Sequence, residues 1–168
     1  MPNAKINIHV DFIDKDFYYN GKDKVCIYIK TNVGENENEL DKIASGGEMS
    51  RIMLAIKKVL ADTDETPILI FDEIDTGISG QAANAVGDKL KQISRSHQVL
   101  SISHLANITA KADYNYFISK KVENDRTNTN IKLLNEEEVI REIARISCGE
   151  INEVSIKYAS KLREKKLA

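Results

Sequence analysis

From Ile6 to Phe12 apolar residues alternate with polar ones (Ile6, Ile8, Val10, Phe12), Asn20-Gly21 offers a turn, and the alternation resumes from Val25 to Thr31. A period of two on both sides of a turn predicts a β-hairpin. Asn32 to Asp41 is acidic, rich in asparagine and without period, and it runs into Ser45-Gly46-Gly47. There the period changes to 3.6 and predicts a helix over roughly Glu48 to Ala61, with Ile52, Met53, Ile56, Val59 and Leu60 facing the core and Lys57 and Lys58 outward. Thr66-Pro67 punctuates the chain, and Ile68 to Phe71 follow as a continuous apolar run, the pattern of a strand buried on both faces of a parallel sheet. A second helix is predicted from about Gln81 to Ser94, with Ala83, Val86, Leu90 and Ile93 on one stripe, and a second buried strand from Val99 to Ile102. Strand, helix and strand make a crossover unit, and this is the basis for an α/β fold class with a largely parallel sheet flanked by helices. A short helix after Leu105, alternating strands near Tyr114 to Lys121 and Asn130 to Leu134, and amphipathic helices near Glu136 to Ser147 and Glu150 to Lys165 complete the pattern.

Composition narrows the class more than the function. The chain has 168 residues, 42% hydrophobic and 30% charged, which suits one globular domain over residues 1–168 with a sizeable core. A net charge of -2 gives no overall basic footprint, so contact with nucleic acid cannot be argued from charge. The tail residues Lys157, Lys161, Arg163, Lys165 and Lys166 are basic, but a solvated helix face accounts for them. Cys26 and Cys148 are far apart with no ligand spacing around them, which favours reduced thiols and a cytosolic location. No apolar run reaches the ~20 residues of a membrane helix, and the first residues lack a signal-peptide core.

Chemistry concentrates at three places. The strand Ile68 to Phe71 ends in adjacent carboxylates, Asp72 and Glu73, at the edge where ligands sit in open α/β sheets. In a nucleotide hydrolase the first acid helps hold Mg²⁺ through its water shell and the second orients and deprotonates the attacking water; the plainer alternative is a pair of solvated strand-end acids. Ser45-Gly46-Gly47-Glu48 opens a helix, so its free N–H groups and positive end can attract phosphate, although a serine N-cap with Glu48 as capping-box acid needs no ligand. His104 follows the second buried strand, where an imidazole can meet a γ-phosphate or the attacking water, or simply be a polar strand terminus. The order of the parts, glycine-opened helix, acid-tipped strand, histidine-tipped strand, carries more weight than any one of them.

In that order the motifs resemble the second half of an ABC-type ATPase head: Ser45-Gly46-Gly47-Glu48 the signature motif, Ile68 to Glu73 the Walker B strand, Ser103-His104 the switch histidine. Within the SMC-like group the chain is most similar to the bacterial RecN family, through Thr31-Asn32-Val33-Gly34-Glu35, Ala44 to Arg51, Phe71 to Gly80, Ser103-His104-Leu105, Ala112-Asp113 and the Ser119-Lys120 to Thr127 hairpin. The resemblance implies the C-terminal lobe of a P-loop NTPase head with peripheral β-hairpins, from a cytoplasmic, nucleoid-associated ATPase of recombinational double-strand break repair. ATP and Mg²⁺ would be the cofactors. The partners would be an N-terminal Walker A lobe of the same protein, a second head in an ATP-dependent homodimer, and DNA through the full-length protein, with no membrane. Glu73 and His104 would be catalytic and Asp72 the metal residue, serving their own head, while Ser45, Gly46, Gly47 and Glu48 would address the γ-phosphate of ATP held by the partner head. One departure is Ser79 in Gly77-Ile78-Ser79-Gly80, where the broader ABC pattern commonly has an aspartate. No GxxxxGK[ST] occurs in these residues, so the lobe is expected to be inactive alone. The alternatives are a head lobe of another SMC-like or RecF-like ATPase, and a non-catalytic interaction domain that keeps the motifs for packing.

Overall fold

The computed structural model describes residues 4–12, 19, 21–31, 34, 36–43, 45–61, 63, 65–123 and 126–164. Asn20 of the expected turn, Asn32, Val33, Glu35 and Ala44 of the motifs, and Lys165 and Lys166 of the tail lie outside them. The alternating N-terminal segments form β1 (Lys5–Phe12) and β2 (Asp23–Lys30), antiparallel with Lys5 opposite Lys30 and Phe12 opposite Asp23. A two-residue strand β3 (Asn38–Glu39) adds to β2 from the segment that shows no period in the sequence. A 3-10 turn, Leu40–Lys42, then leads toward α1 (Gly46–Val59).

The centre of the fold is the crossover unit: β4 (Ile68–Phe71), α2 (Gly80–Ile93) and β5 (Gln98–Ser101), with β4 and β5 parallel and Phe71 opposite Ser101. Leu69 and Phe71 of β4 point into one core with Leu54 of α1, Ile74, Leu90 and Ile93 of α2, and Ile108. After β5 come α3 (Ala106–Thr109), the antiparallel hairpin β6 (Tyr116–Glu123) and β7 (Arg126–Leu133), α4 (Glu136–Cys148) and α5 (Glu153–Glu164). A second core joins Ala106 and Ala110 around α3 to Val139, Ile143 and Ala144 of α4 and Ala159 of α5. One short helix therefore feeds both cores, Ile108 into the first and Ala106 into the second.

Helix ends follow local chemistry. Ser45 caps α1, its Oγ accepting from the Glu48 N–H. Asn135 and Glu138 form a reciprocal capping box on α4 at 2.9 and 3.1 Å. Gly149, at φ 75°, ends that helix in the left-handed region. Asn152 then accepts from the Ser155 N–H, which delays α5 to Glu153, three residues after the start its amphipathic pattern predicts.

Three expectations are corrected. The strand Ile68 to Phe71 is buried on one face only: Ile68 and Ile70 are 49% and 69% exposed, because α1 and α2 cover the side of Leu69 and Phe71 and no described residue covers the other. On α1 the buried pair is Ile52 and Leu54, while Met53 between them is exposed, as are Val59 and Leu60 at the end of the helix. Arg163 is not part of a solvated face. It is 6% exposed, bidentate to Glu136 at 2.8 and 3.0 Å, and donates to the carbonyls of Ala110 and Ala112. This guanidinium ties the end of α5 to the start of α4 and to the chain just after α3. Arg163→Ala strands those carbonyls and is expected to cost about 2–4 kcal/mol in urea unfolding; a loss below about 0.5 kcal/mol, the usual surface value, would contradict the role.

Candidate active site

Because β4 and β5 are parallel neighbours, their C-terminal ends lie at the same sheet edge, and the Ile102 N–H still bonds to the Phe71 carbonyl at 3.0 Å. The chain emerging from β4 makes a tight turn over 72–77, and the expected site residues gather around it. Asp72 Oδ1 accepts from the Glu73 N–H at 2.9 Å, and the Glu73 carbonyl accepts from the Thr76 N–H. Glu73 has φ 54°, and is the one non-glycine residue in the left-handed region among those described. For a glutamate that conformation costs on the order of 1 kcal/mol, and such outliers cluster where chemistry requires a particular side chain.

The helix α1 is fastened to this turn through side chains that the sequence analysis does not single out. Ser50 Oγ donates to the Asp72 carbonyl at 2.7 Å. Arg51 Nη1 donates to the carbonyls of Ile74 and Thr76 at 3.2 and 2.7 Å. Its Nε is buried with no hydrogen-bond partner among the described residues. The only signal for these roles is their position in the Ala44 to Arg51 motif, since contact with a carbonyl needs no side-chain pattern.

The two glycines of Ser45-Gly46-Gly47 have a packing reason that is independent of any ligand. A Cβ on Gly47 would lie 2.9 Å from the Glu73 carbonyl oxygen and 3.0 Å from the Thr76 carbonyl oxygen. A Cβ on Gly46 would meet the end of the Glu73 side chain instead, 2.7 Å from Oε2. Glu73 therefore rests its carboxylate over the first turn of α1, beside Gly46.

His104 lies just beyond β5, with its side chain 72% exposed. Its backbone N–H and the Ser103 hydroxyl donate to Asp75 Oδ2 at 2.7 and 2.6 Å, and its Nδ1 is 3.1 Å from that oxygen. Asp75 is 2% exposed and is the residue of this cluster that the sequence reading did not single out. A buried aspartate in a turn leaves no trace in hydrophobic periodicity. All three chemical motifs thus border one turn: Asp72 and Glu73 within it, Gly46 and Gly47 against it, and His104 hung from its Asp75.

An exposed carboxylate such as Asp72 suits a water-mediated contact to Mg²⁺, which keeps several waters and takes few protein ligands. Among the described residues no group of three or more histidine, cysteine, aspartate or glutamate side chains can hold a metal by itself. Remaining ligands would have to come from phosphate or from other residues. Cys26 and Cys148 are both free. No described helix is long and apolar enough to cross a membrane.

No family model matches the chain. Relatives that carry the name DNA repair protein RecN include three described here. The one from Halalkalibacterium halodurans is 45% identical over 149 residues, 88% of this chain and 26% of its own length. That from Bacillus subtilis is 41% identical over 84% of this chain and 25% of its own, and that from Deinococcus radiodurans 38% identical over 96% and 28%. The chain therefore spans about a quarter of the length of these relatives. In structure it is similar to the Smc head domain of Pyrococcus yayanosii, with a TM-score of 0.59 at 21% identity over 84% of this chain and 26% of that one. It is similar also to that of Pyrococcus furiosus, with a TM-score of 0.55 at 21% identity over 86% and 34%. At such identities the likeness concerns the fold: an α/β lobe of an SMC-type ATPase head.

Gly47→Ala puts a Cβ against backbone that cannot swing away, whereas Gly46→Ala meets only a flexible carboxylate. The first is expected to lower stability by about 1–3 kcal/mol and the second by clearly less, in paired thermal or urea unfolding. Equal effects would mean that α1 does not depend on close approach to the turn.

Proposed function

For a chain that belongs with the RecN proteins by sequence and spans about a quarter of their length, we propose the C-terminal lobe of an ATPase head, a half-site for ATP that other polypeptide completes. The observation that carries this reading is the turn 72–77, where Glu73 is held in a left-handed conformation at a sheet edge while α1 and His104 are both tied to the same turn. The single domain over 1–168, the DNA repair context, the location at the nucleoid and the contact with DNA through the full-length protein are parts of the same proposal.

In this reading Glu73 takes a proton from the water that attacks the γ-phosphate, and the strained backbone aims its carboxylate. His104 offers Nε2 to the same phosphate or water from the neighbouring strand. Asp72 sits where it can hold Mg²⁺ through water, and the ion neutralises phosphate charge when bound. Ser45, Gly46, Gly47 and Glu48, at the start of α1, would meet the γ-phosphate of ATP bound to a second head, Gly46 and Gly47 with helix N–H groups, since that of Glu48 is taken by the Ser45 Oγ. Two heads would then close on two nucleotides.

The need for a completing lobe rests on bare apolar faces. Ile68, Ile70, Leu100 and Ile102 are exposed on the open side of β4 and β5, and Ile6, Ile8, Val10 and Phe12 on β1. So are Tyr116, Ile118, Val122, Ile131 and Leu133, on one side of the β6–β7 hairpin. So much uncovered apolar surface marks an interface. An N-terminal Walker A lobe, which would bring the P-loop that these residues lack, is the occupant we assign.

A purely structural reading has one observation in its favour, the packing of Gly47 against the turn, which gives the signature-like glycines a use without nucleotide. Turnover separates the two readings. The 168-residue chain alone is expected to release no phosphate from ATP above background, and co-expression with the upstream lobe to restore hydrolysis. In that reassembled head Glu73→Gln should bind ATP, accumulate as a dimer on size exclusion, and hydrolyse at least about 100-fold more slowly. Full turnover by the variant would remove Glu73 as the base, and no turnover on reassembly would favour the packing reading.

A further inference from the structure

We infer that Asp75 is a positioning residue that sets which nitrogen of His104 faces the nucleotide; its part in hydrolysis rests on the ATPase reading, but the positioning does not. Two donors converge on one buried oxygen, the Ser103 hydroxyl and the His104 N–H, and His104 Nδ1 lies 3.1 Å from the same oxygen. A ring nitrogen that close to a carboxylate is favoured with hydrogen, because a bare lone pair there would stand in the field of the anion. His104 is therefore held with its proton on Nδ1, the opposite of the preference of a free imidazole, and Nε2 is left as the outward atom. In the neutral ring Nε2 accepts a hydrogen bond, as toward water; in the protonated ring it donates, as toward a phosphate oxygen.

Asp75 can do this because its own backbone is clamped on both sides. The carbonyls before and after it, Ile74 and Thr76, both accept from Arg51 Nη1, and its carboxylate is sealed from water. Ser103 relays the hold: its hydroxyl donates to Asp75 and accepts from the Leu105 N–H at 3.1 Å, which fixes the chain on both sides of His104. The arrangement thus links the helix opened by Ser45-Gly46-Gly47, through Arg51 and Asp75, to an imidazole on the neighbouring strand.

The test reads the ring directly. In the chain labelled with ¹⁵N-histidine, whose three histidines are resolved with a His104→Gln control, two-bond ¹H–¹⁵N correlations are expected to report His104 protonated on Nδ1. Asp75→Ala should return it to Nε2. Asp75→Asn, whose amide oxygen can take the same two donors and still face the ring nitrogen, should keep it on Nδ1. In the complete protein Asp75→Ala is expected to lower kcat about 100-fold with the KM for ATP little changed, and Asp75→Asn to recover part of that loss. A wild-type ring protonated on Nε2 overturns the inference, and needs no variant to fold. So does a folded Asp75→Ala protein with normal kcat. Turnover unmoved by Glu73→Gln and His104→Ala overturns instead the ATPase reading, which the tautomer does not test.

Discussion

The close approach of α1 to the turn after β4 is the contact on which the rest of the site depends. It requires that Gly47 have no side chain, and it is secured by Ser50 on the Asp72 carbonyl and Arg51 on those of Ile74 and Thr76. The turn satisfies the Glu73 carbonyl itself, but those of Asp72, Ile74 and Thr76 take donors from the adjacent helix, which both satisfy them and fix the turn's shape. A turn fixed in this way can hold Glu73 at φ 54° and keep Asp75 buried beneath it. Strain at one residue is tolerated because its neighbours are over-determined.

The two cores divide the labour. The first, around Leu69, Phe71, Leu90 and Ile93, places the ends of the parallel strands. The second, around Val139, Ile143 and Ala159, builds a helical buttress behind them, locked by the Arg163 guanidinium. Because α3 contributes to both, the segment carrying His104 is anchored between them. The site side chains come from three stretches of chain, yet all lie within one or two residues of an anchored element.

The strands tell a different story. The β4–β5 pair and the β6–β7 hairpin each keep an apolar face without cover among the described residues, β1 bares Ile6, Ile8, Val10 and Phe12 although Ile29 beside them is buried, and the pattern on β4 shows why a continuous apolar run is ambiguous. Isoleucine at 68 and 70 is what a strand buried on both faces needs, but whether both faces are buried depends on what lies opposite. In this chain Leu69 and Phe71 have their partners in α1 and α2, and no described residue covers Ile68 and Ile70.

Period and punctuation by themselves determined the number and order of the larger elements, the crossover unit, the serine cap of α1 and the acid and imidazole at two strand ends, because each depends on residues close in sequence. The motifs were also enough to identify the likeness to the RecN proteins. What tertiary structure alone decided is contact at long range: that Gly47 faces the Glu73 and Thr76 carbonyls, that Arg51 reaches the turn, that Arg163 is buried on Glu136, and that Asp75 holds His104. A buried polar group is stabilised by its partners, and partners separated by more than twenty residues leave no periodic mark on the chain.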